Sequence, residues 1–76
     1  MELRLDGLRP GMAAVVTEFY CPDALRRRLA DFGLVEGTAV SCRYCSPRGD
    51  VAALGLRGTT LAIRRTDLAQ IAARQV

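Results

Sequence analysis

With 76 residues and a net charge of +3, the chain is long enough for one small domain and too short for a two-domain enzyme. All eleven of its cations are arginines, and it contains neither lysine nor histidine. This composition excludes the usual neutral-pH base, lysine nucleophiles and the commonest metal ligand. Half of the residues are hydrophobic, so we expect one folded domain over residues 1–76. Because histidine and lysine are missing and no two acidic residues are paired, we do not expect an enzyme.

The opening segment predicts a short helical turn followed by a first strand. Leu5 and Leu8 lie three residues apart before a Pro-Gly turn, a spacing that places both against one end of the core. Residues 12–19 are rich in β-branched and small apolar side chains, which is typical of a strand. Because Val15 and Val16 are adjacent, strict alternation fails there, and a bulge would explain the pattern.

One helix is predicted over residues 22–32. Proline stands near its first position and Asp23 lies in its first turn, where an acidic side chain stabilises the helix. Leu25, Leu29 and Phe32 share one face of this helix. We therefore expect all three side chains to pack against the core.

The end of this helix has the strongest local pattern in the sequence. Gly33 fits the left-handed position that ends a helix, and Leu34 would then contact Leu29, as in a Schellman motif. A second glycine, Gly37, occupies the third position of the turn over residues 35–38, where type II geometry requires a positive φ. A tight, glycine-dependent connection to the next strand is therefore predicted.

The rest of the chain predicts short strands. Residues 38–44 alternate, with Val40, Cys42 and Tyr44 on one face. Further strands are expected over 51–56 and 60–64, followed by a helical turn at Thr66-Asp67. Leu54, Leu61 and Ile63 are expected to face inward, and Leu68 and Ile71 to close the core. The pattern is mainly β with one inserted helix and favours a small partly open barrel of about five strands.

The three cysteines form half of a metal-binding pattern. Cys42 and Cys45 have C-x2-C spacing, and Cys21 precedes the helix. Zinc normally takes four ligands, and in an extended strand residues three apart point to opposite faces, so Cys42 would face the core and Cys45 would face solvent. We expect free thiols, no resident cofactor and no metal, although weak or transient binding of iron or zinc by these cysteines is the alternative. An odd number of cysteines, the lack of a long apolar run and an N-terminus unlike a signal peptide favour the cytoplasm.

The densest charge cluster is Arg26, Arg27 and Arg28 on the predicted helix. It forms either a solvated helix face or a surface for an anionic partner. Only four aromatic residues are present, and we expect two of them in the core, so binding of nucleic acid is not expected. The glycines of residues 33–37 follow a helix, whereas phosphate-binding loops precede one, so they predict a structural turn.

Several motifs, taken together and in order, resemble the ferrous iron transport protein A family, FeoA. The resemblance covers nearly the whole chain and rests on Leu5-x-x-Leu8-x-Pro10-Gly11, residues 25–38, Ser46-Pro47-Arg48-Gly49-Asp50, and Arg57-Gly58-x-x-Leu61-Ala62-Ile63-Arg64. It implies an SH3-like barrel with a helix after the first strand, a fold shared with the C-terminal domain of repressors of the diphtheria-toxin-repressor type. Two turns depart from the family pattern. This chain has Leu34-Val35-Glu36-Gly37 where the family usually has Leu-x-Pro-Gly, and Gly49-Asp50-Val51 where it usually has Gly-Asp-Pro.

The same resemblance implies a small cytoplasmic accessory protein of ferrous iron uptake. Such a protein would act by contact with FeoB, the membrane transporter that carries a GTPase domain, and would not itself enter the membrane. The alternative is a small domain that binds or senses a transition metal through its cysteines. Apolar edge strands would also allow a homo-oligomer. The expected partner-binding residues are Arg26, Arg27, Arg28, Gly33, Leu34, Glu36 and Gly37.

Overall fold

Six antiparallel strands form one sheet in the computed structural model, which describes residues 2–76. The spatial order is β1-β6-β2-β3-β4-β5. The strands are β1 (Glu2–Arg4), β2 (Ala13–Phe19), β3 (Ala39–Cys45), β4 (Val51–Leu56), β5 (Thr59–Arg64) and β6 (Ile71–Gln75). The helices are α1 (Asp23–Asp31), between β2 and β3, and the single-turn α2 (Arg65–Leu68). The expected fold class, a small SH3-like partly open barrel with one inserted helix, is confirmed.

Strands β1 and β6 are the elements that the sequence did not predict. Strand β6 begins at Ile71, which was expected to follow a helical turn, and it lies between β1 and β2. Ile71, Ala72 and Ala73 are all buried, so β6 shows no alternation between apolar and polar residues. A strand covered on both faces lacks the period-two pattern that identifies a strand in a sequence.

The core lies against the inner face of the curved sheet and is closed by the short helical segments. A 3-10 turn at Leu5–Gly7 buries Leu5, and Leu8 is buried directly after it, as predicted. Leu68 of α2 and Ile71 of β6 are also fully buried. The remaining core residues are Ala14, Val16, Leu29, Leu34, Val40, Cys42, Ala52, Leu54, Leu56, Ile63 and Ala73.

Helix α1 ends as the sequence predicts. The Leu34 amide donates to the Leu29 carbonyl oxygen (3.0 Å), and the Gly33 amide donates to the Ala30 carbonyl oxygen (2.9 Å). Gly33 has a φ of +90°. These are the two hydrogen bonds of a Schellman motif, with Leu29 and Leu34 together in the core.

The expectation that Phe32 packs in the core is wrong. Leu29 is buried and Leu25 is half-buried, but Phe32 is 56% exposed. The helix ends at Asp31, and Phe32 has already left helical geometry, with φ −95° and ψ 3°. Its ring therefore does not follow the apolar stripe that the 3.6-residue period predicts.

Two β-bulges change which side chains face the core. The pairing of β2 with β6 shifts between Val16 and Glu18, next to the adjacent valines where a bulge was considered. The pairing of β3 with β4 shifts between Cys42 and Tyr44. This second bulge overturns the expected alternation in β3, because Tyr44 is 60% exposed while Cys45 packs against the core.

Candidate functional site

The three arginines of α1 are all exposed, and each has a different neighbourhood. The Arg26 guanidinium lies 3.7 Å from the Glu36 carboxylate and 5.8 Å from the centre of the Phe19 ring. Among residues 2–76, neither Arg27 nor Arg28 forms an ion pair. Two unpaired guanidinium groups on an exposed helix are available to an anionic partner.

Shallow grooves lie on both sides of α1. One lies between α1 and β5, has a volume of about 370 Å³, and is lined by residues that include Leu25, Arg28, Phe32 and Leu61. The other has a volume of about 290 Å³ and is lined by Phe19, Arg26, Ala30, Leu34, Val35 and Glu36. Arg26 and Arg28 thus border different grooves, on either side of the helix. Each groove combines apolar side chains with a guanidinium at its edge.

The loop after α1 is held by hydrogen bonds through a buried side chain. The Thr38 hydroxyl donates to the Gly33 carbonyl oxygen (2.8 Å) and accepts from the Val35 amide (3.1 Å). The Thr38 amide donates to the Val35 carbonyl oxygen (3.0 Å), and the φ of Gly37 is +87°, as the predicted type II turn requires. The Gly37 amide also donates to the Val16 carbonyl oxygen of β2 (2.8 Å). These bonds present the loop as a rigid surface.

The structure separates the expected partner-binding residues into exposed and buried ones. Arg26, Arg27, Arg28, Glu36 and Gly37 are exposed. Leu34, in contrast, is completely buried, so its inclusion as a contact residue is wrong. The Schellman motif turns its side chain into the core, where it supports the loop from beneath.

Gly33 is half-buried beneath the side chain of Arg57. A Cβ atom added at Gly33 would lie 3.0 Å from the Arg57 Cδ, so this arginine from the β4–β5 hairpin covers the end of α1. Arg57 has a φ of +49° and Gly58 a φ of +78°, which together form a two-residue type I′ hairpin turn. The hairpin thus brings a further arginine to the surface formed by α1 and its loop.

Two exposed apolar residues on this surface were missed in the sequence analysis. Phe32 is 56% exposed and Val35 is 39% exposed. The helical period predicts that Phe32 lies in the core, and the glycine pattern identifies Val35 only as part of a turn. The position of Phe32 next to a glycine that ends the helix was the available indication, because a C-cap residue leaves the helical face. We define the docking surface as Arg26, Arg27, Arg28, Phe32, Val35, Glu36 and Gly37.

The cysteines do not lie as the strand alternation predicted. The Cys42 and Cys45 Sγ atoms are 3.9 Å apart, because the bulge at Arg43 turns both thiols to the same side of β3. Burial raises the pKa of the Cys42 thiol, and its contact with Cys45 raises that pKa further. Over residues 2–76, no three or more Cys, Asp or Glu side chains come together as metal ligands, so Cys21 does not join the pair.

Neither helix within residues 2–76 has the length and apolar character needed to cross a membrane. The sheet order and the inserted helix define a small SH3-like β domain with one exposed basic helix and an ordered loop. The FeoA domain model matches residues 3–75, which is nearly the whole chain. The chain belongs to the FeoA domain family.

Solved structures agree with this assignment. The FeoA protein from Chlorobium tepidum is 32% identical, with a TM-score of 0.92, and the match covers 97% of this chain and 70% of that chain. The FeoA-like protein from Clostridium acetobutylicum is 27% identical, with a TM-score of 0.88, over 99% of this chain and 87% of that one. No curated protein has a significant match to this chain.

A manganese-dependent transcriptional repressor has the same fold at lower identity. It is 12% identical, with a TM-score of 0.88, and the match covers 99% of this chain and 42% of that chain. At this identity the likeness shows the fold alone. The same fold therefore occurs within the longer chain of that repressor.

Proposed function

We propose that this chain is a cytoplasmic accessory protein of ferrous iron uptake that binds the cytoplasmic part of the FeoB transporter through the docking surface. Membership of the FeoA family links the chain to ferrous iron transport. The proposed contact is with protein and requires no catalytic residue of this chain. The absence of a resident metal or cofactor remains a prediction, and metal analysis after anaerobic purification would test it.

The observation that carries this proposal is the composition of the docking surface. Arg28, unpaired within residues 2–76, borders one groove together with the exposed Phe32 ring. Arg26 borders the other groove together with Val35, which lies in the loop fixed by Thr38. Aromatic and arginine side chains contribute most of the binding energy in many protein interfaces. A rigid loop loses little conformational entropy on binding, so such a surface is already ordered for contact.

The direct experiment is an amide NMR titration of the labelled chain with the soluble cytoplasmic part of its cognate FeoB, under reducing conditions. We expect shifts concentrated in residues 26–37, because these residues form the docking surface. Shifts concentrated in the loop over residues 46–50 would place the contact elsewhere and overturn the proposed surface. Absence of shifts at high concentration, with and without guanine nucleotide, would contradict binding to that part of FeoB.

A charge reversal tests the arginine face separately from folding. Arg27→Glu should weaken binding by roughly tenfold, equivalent to about 1.4 kcal/mol, because Arg27 has no ion pair within the described chain. Arg48→Glu is the matched control, since it changes the net charge equally at an exposed residue of the β3–β4 loop. Equal losses for both variants would mean that only the overall charge matters. A lower melting temperature for Arg27→Glu would assign this arginine a structural role instead.

A further inference from the structure

Two of the three cysteines lie in contact, although a regular strand would separate them. The Cys42 and Cys45 Sγ atoms are 3.9 Å apart, and the bulge that accommodates Arg43 brings them to one side. Cys42 is 2% exposed, whereas Cys45 is half-buried and therefore reachable from solvent. A disulfide bond is about 2.05 Å long, so the two sulfur atoms must approach by roughly 1.9 Å. Rotation about the two side chains' χ1 bonds can supply a movement of this size.

We propose that Cys42 and Cys45 form a reversible disulfide site, oxidised by thiol–disulfide exchange with a low-molecular-weight disulfide. Cys45 is the entry thiol because it is the accessible one. Cys42, buried behind it, is the resolving thiol. Formation of this disulfide does not require FeoB. A negative result here would therefore leave the proposed docking function untouched, and the reverse also holds.

The thiol–disulfide exchange takes place in two steps. The Cys45 thiol loses its proton and attacks one sulfur of the small disulfide, which forms a mixed disulfide and releases one small thiolate. The Cys42 thiol then loses its proton and attacks the Cys45 sulfur, which closes the internal disulfide and releases the second small thiolate. Two protein thiols are oxidised to one disulfide, and the small disulfide is reduced to two thiols.

The surroundings of the pair favour this chemistry over a stable metal site. Structural zinc sites take four protein ligands, and in the part of the chain that the structure describes no third Cys, Asp or Glu joins Cys42 and Cys45. A partly accessible thiol beside a resolving thiol is the arrangement found in redox-sensing cysteines. Cys21 provides an internal comparison, because it is also half-buried but lies outside the pair.

The sequence allows a direct assay by peptide mapping. The purified chain is incubated with oxidised glutathione, free thiols are alkylated under denaturing conditions, and trypsin digestion is followed by mass spectrometry. Cleavage after Arg43 places Cys42 in peptide 29–43 and Cys45 in peptide 44–48, while Cys21 lies in peptide 5–26. We expect peptides 29–43 and 44–48 to be joined by a disulfide. The number of alkylated thiols should fall from three to one.

Single variants separate the two roles. Cys42→Ala should accumulate a glutathione adduct on Cys45 that does not resolve, and Cys21→Ser should form the internal disulfide as the wild type does. The proposal is overturned if the wild type gives only glutathione adducts, or if its main product is a dimer joined through Cys21. The wild-type mapping decides the question even if Cys42→Ala fails to fold.

Discussion

The buried hydroxyl of Thr38 makes the stability of the loop after α1 testable by a single substitution. Thr38 is 6% exposed, and its hydroxyl bonds both the Gly33 carbonyl oxygen and the Val35 amide. Valine has nearly the same shape and cannot form either bond. At about 1 kcal/mol for each hydrogen bond, Thr38→Val should lower the free energy of unfolding by about 2 kcal/mol. For a domain of this size, that corresponds to a melting temperature lower by roughly 8–16 °C.

Thr17 provides a matched control with the opposite expected sign. Its hydroxyl oxygen is buried and has no hydrogen-bond partner within the described residues. An unpaired buried polar group is destabilising, so Thr17→Val should raise the free energy of unfolding by about 1 kcal/mol. Valine also suits the extended backbone of β2.

Urea unfolding followed by circular dichroism at one pH, with reductant present, measures both effects. The predicted difference between the two threonine-to-valine changes is about 3 kcal/mol in the free energy of unfolding. Equal effects of the two substitutions would refute it, because they would show that the hydrogen bonds of Thr38 do not distinguish it from Thr17. A Thr38→Val variant of unchanged stability would also show that this side chain does not hold the docking surface rigid.

Two further changes should affect stability in defined directions. Gly33→Ala places a side chain at φ +90° with its Cβ 3.0 Å from the Arg57 Cδ, so thermal unfolding should show a loss of about 1–2 kcal/mol. Gly7→Ala is its control, because no atom lies within 4 Å of the added Cβ, and a similar loss there would contradict the explanation. Burial raises the pKa of the Cys42 thiol, so above about pH 8.5 the unfolded chain loses this proton first and stability falls. Urea unfolding from about pH 7 to about pH 9.5 should show a smaller fall for Cys42→Ala, and identical falls would refute this cause.

The features that the sequence predicted correctly are those that depend on interactions between residues close together in the chain. The end of α1 depends on Gly33 and on hydrogen bonds between residues three and five positions apart, so its geometry was predicted correctly. The turn with Gly37 was predicted for the same reason. Burial of Leu34 follows from that motif too, and placing it among the contact residues overlooked this consequence.

What was mispredicted depends on pairing between distant strands. The position of the bulge at Arg43 is set by the register of β3 against β4, and it reverses the expected orientations of Tyr44 and Cys45. The alternation of side chains within one strand does not reveal how that strand is paired with the next one. The contact between the two thiols was therefore invisible in the sequence, although their C-x2-C spacing was evident.

The position of β6 constrains when the chain can fold during its synthesis. Residues 71–75 form an interior strand, paired on one side with β1 and on the other with β2. A nascent chain that has not yet reached Ile71 can form the meander from β2 to β5, but β1 has no neighbour and one side of β2 is open. Completion of the sheet must wait until these residues leave the ribosome. A ribosome-bound chain that stops before residue 71 should therefore stay protease-sensitive, because its sheet lacks an interior strand.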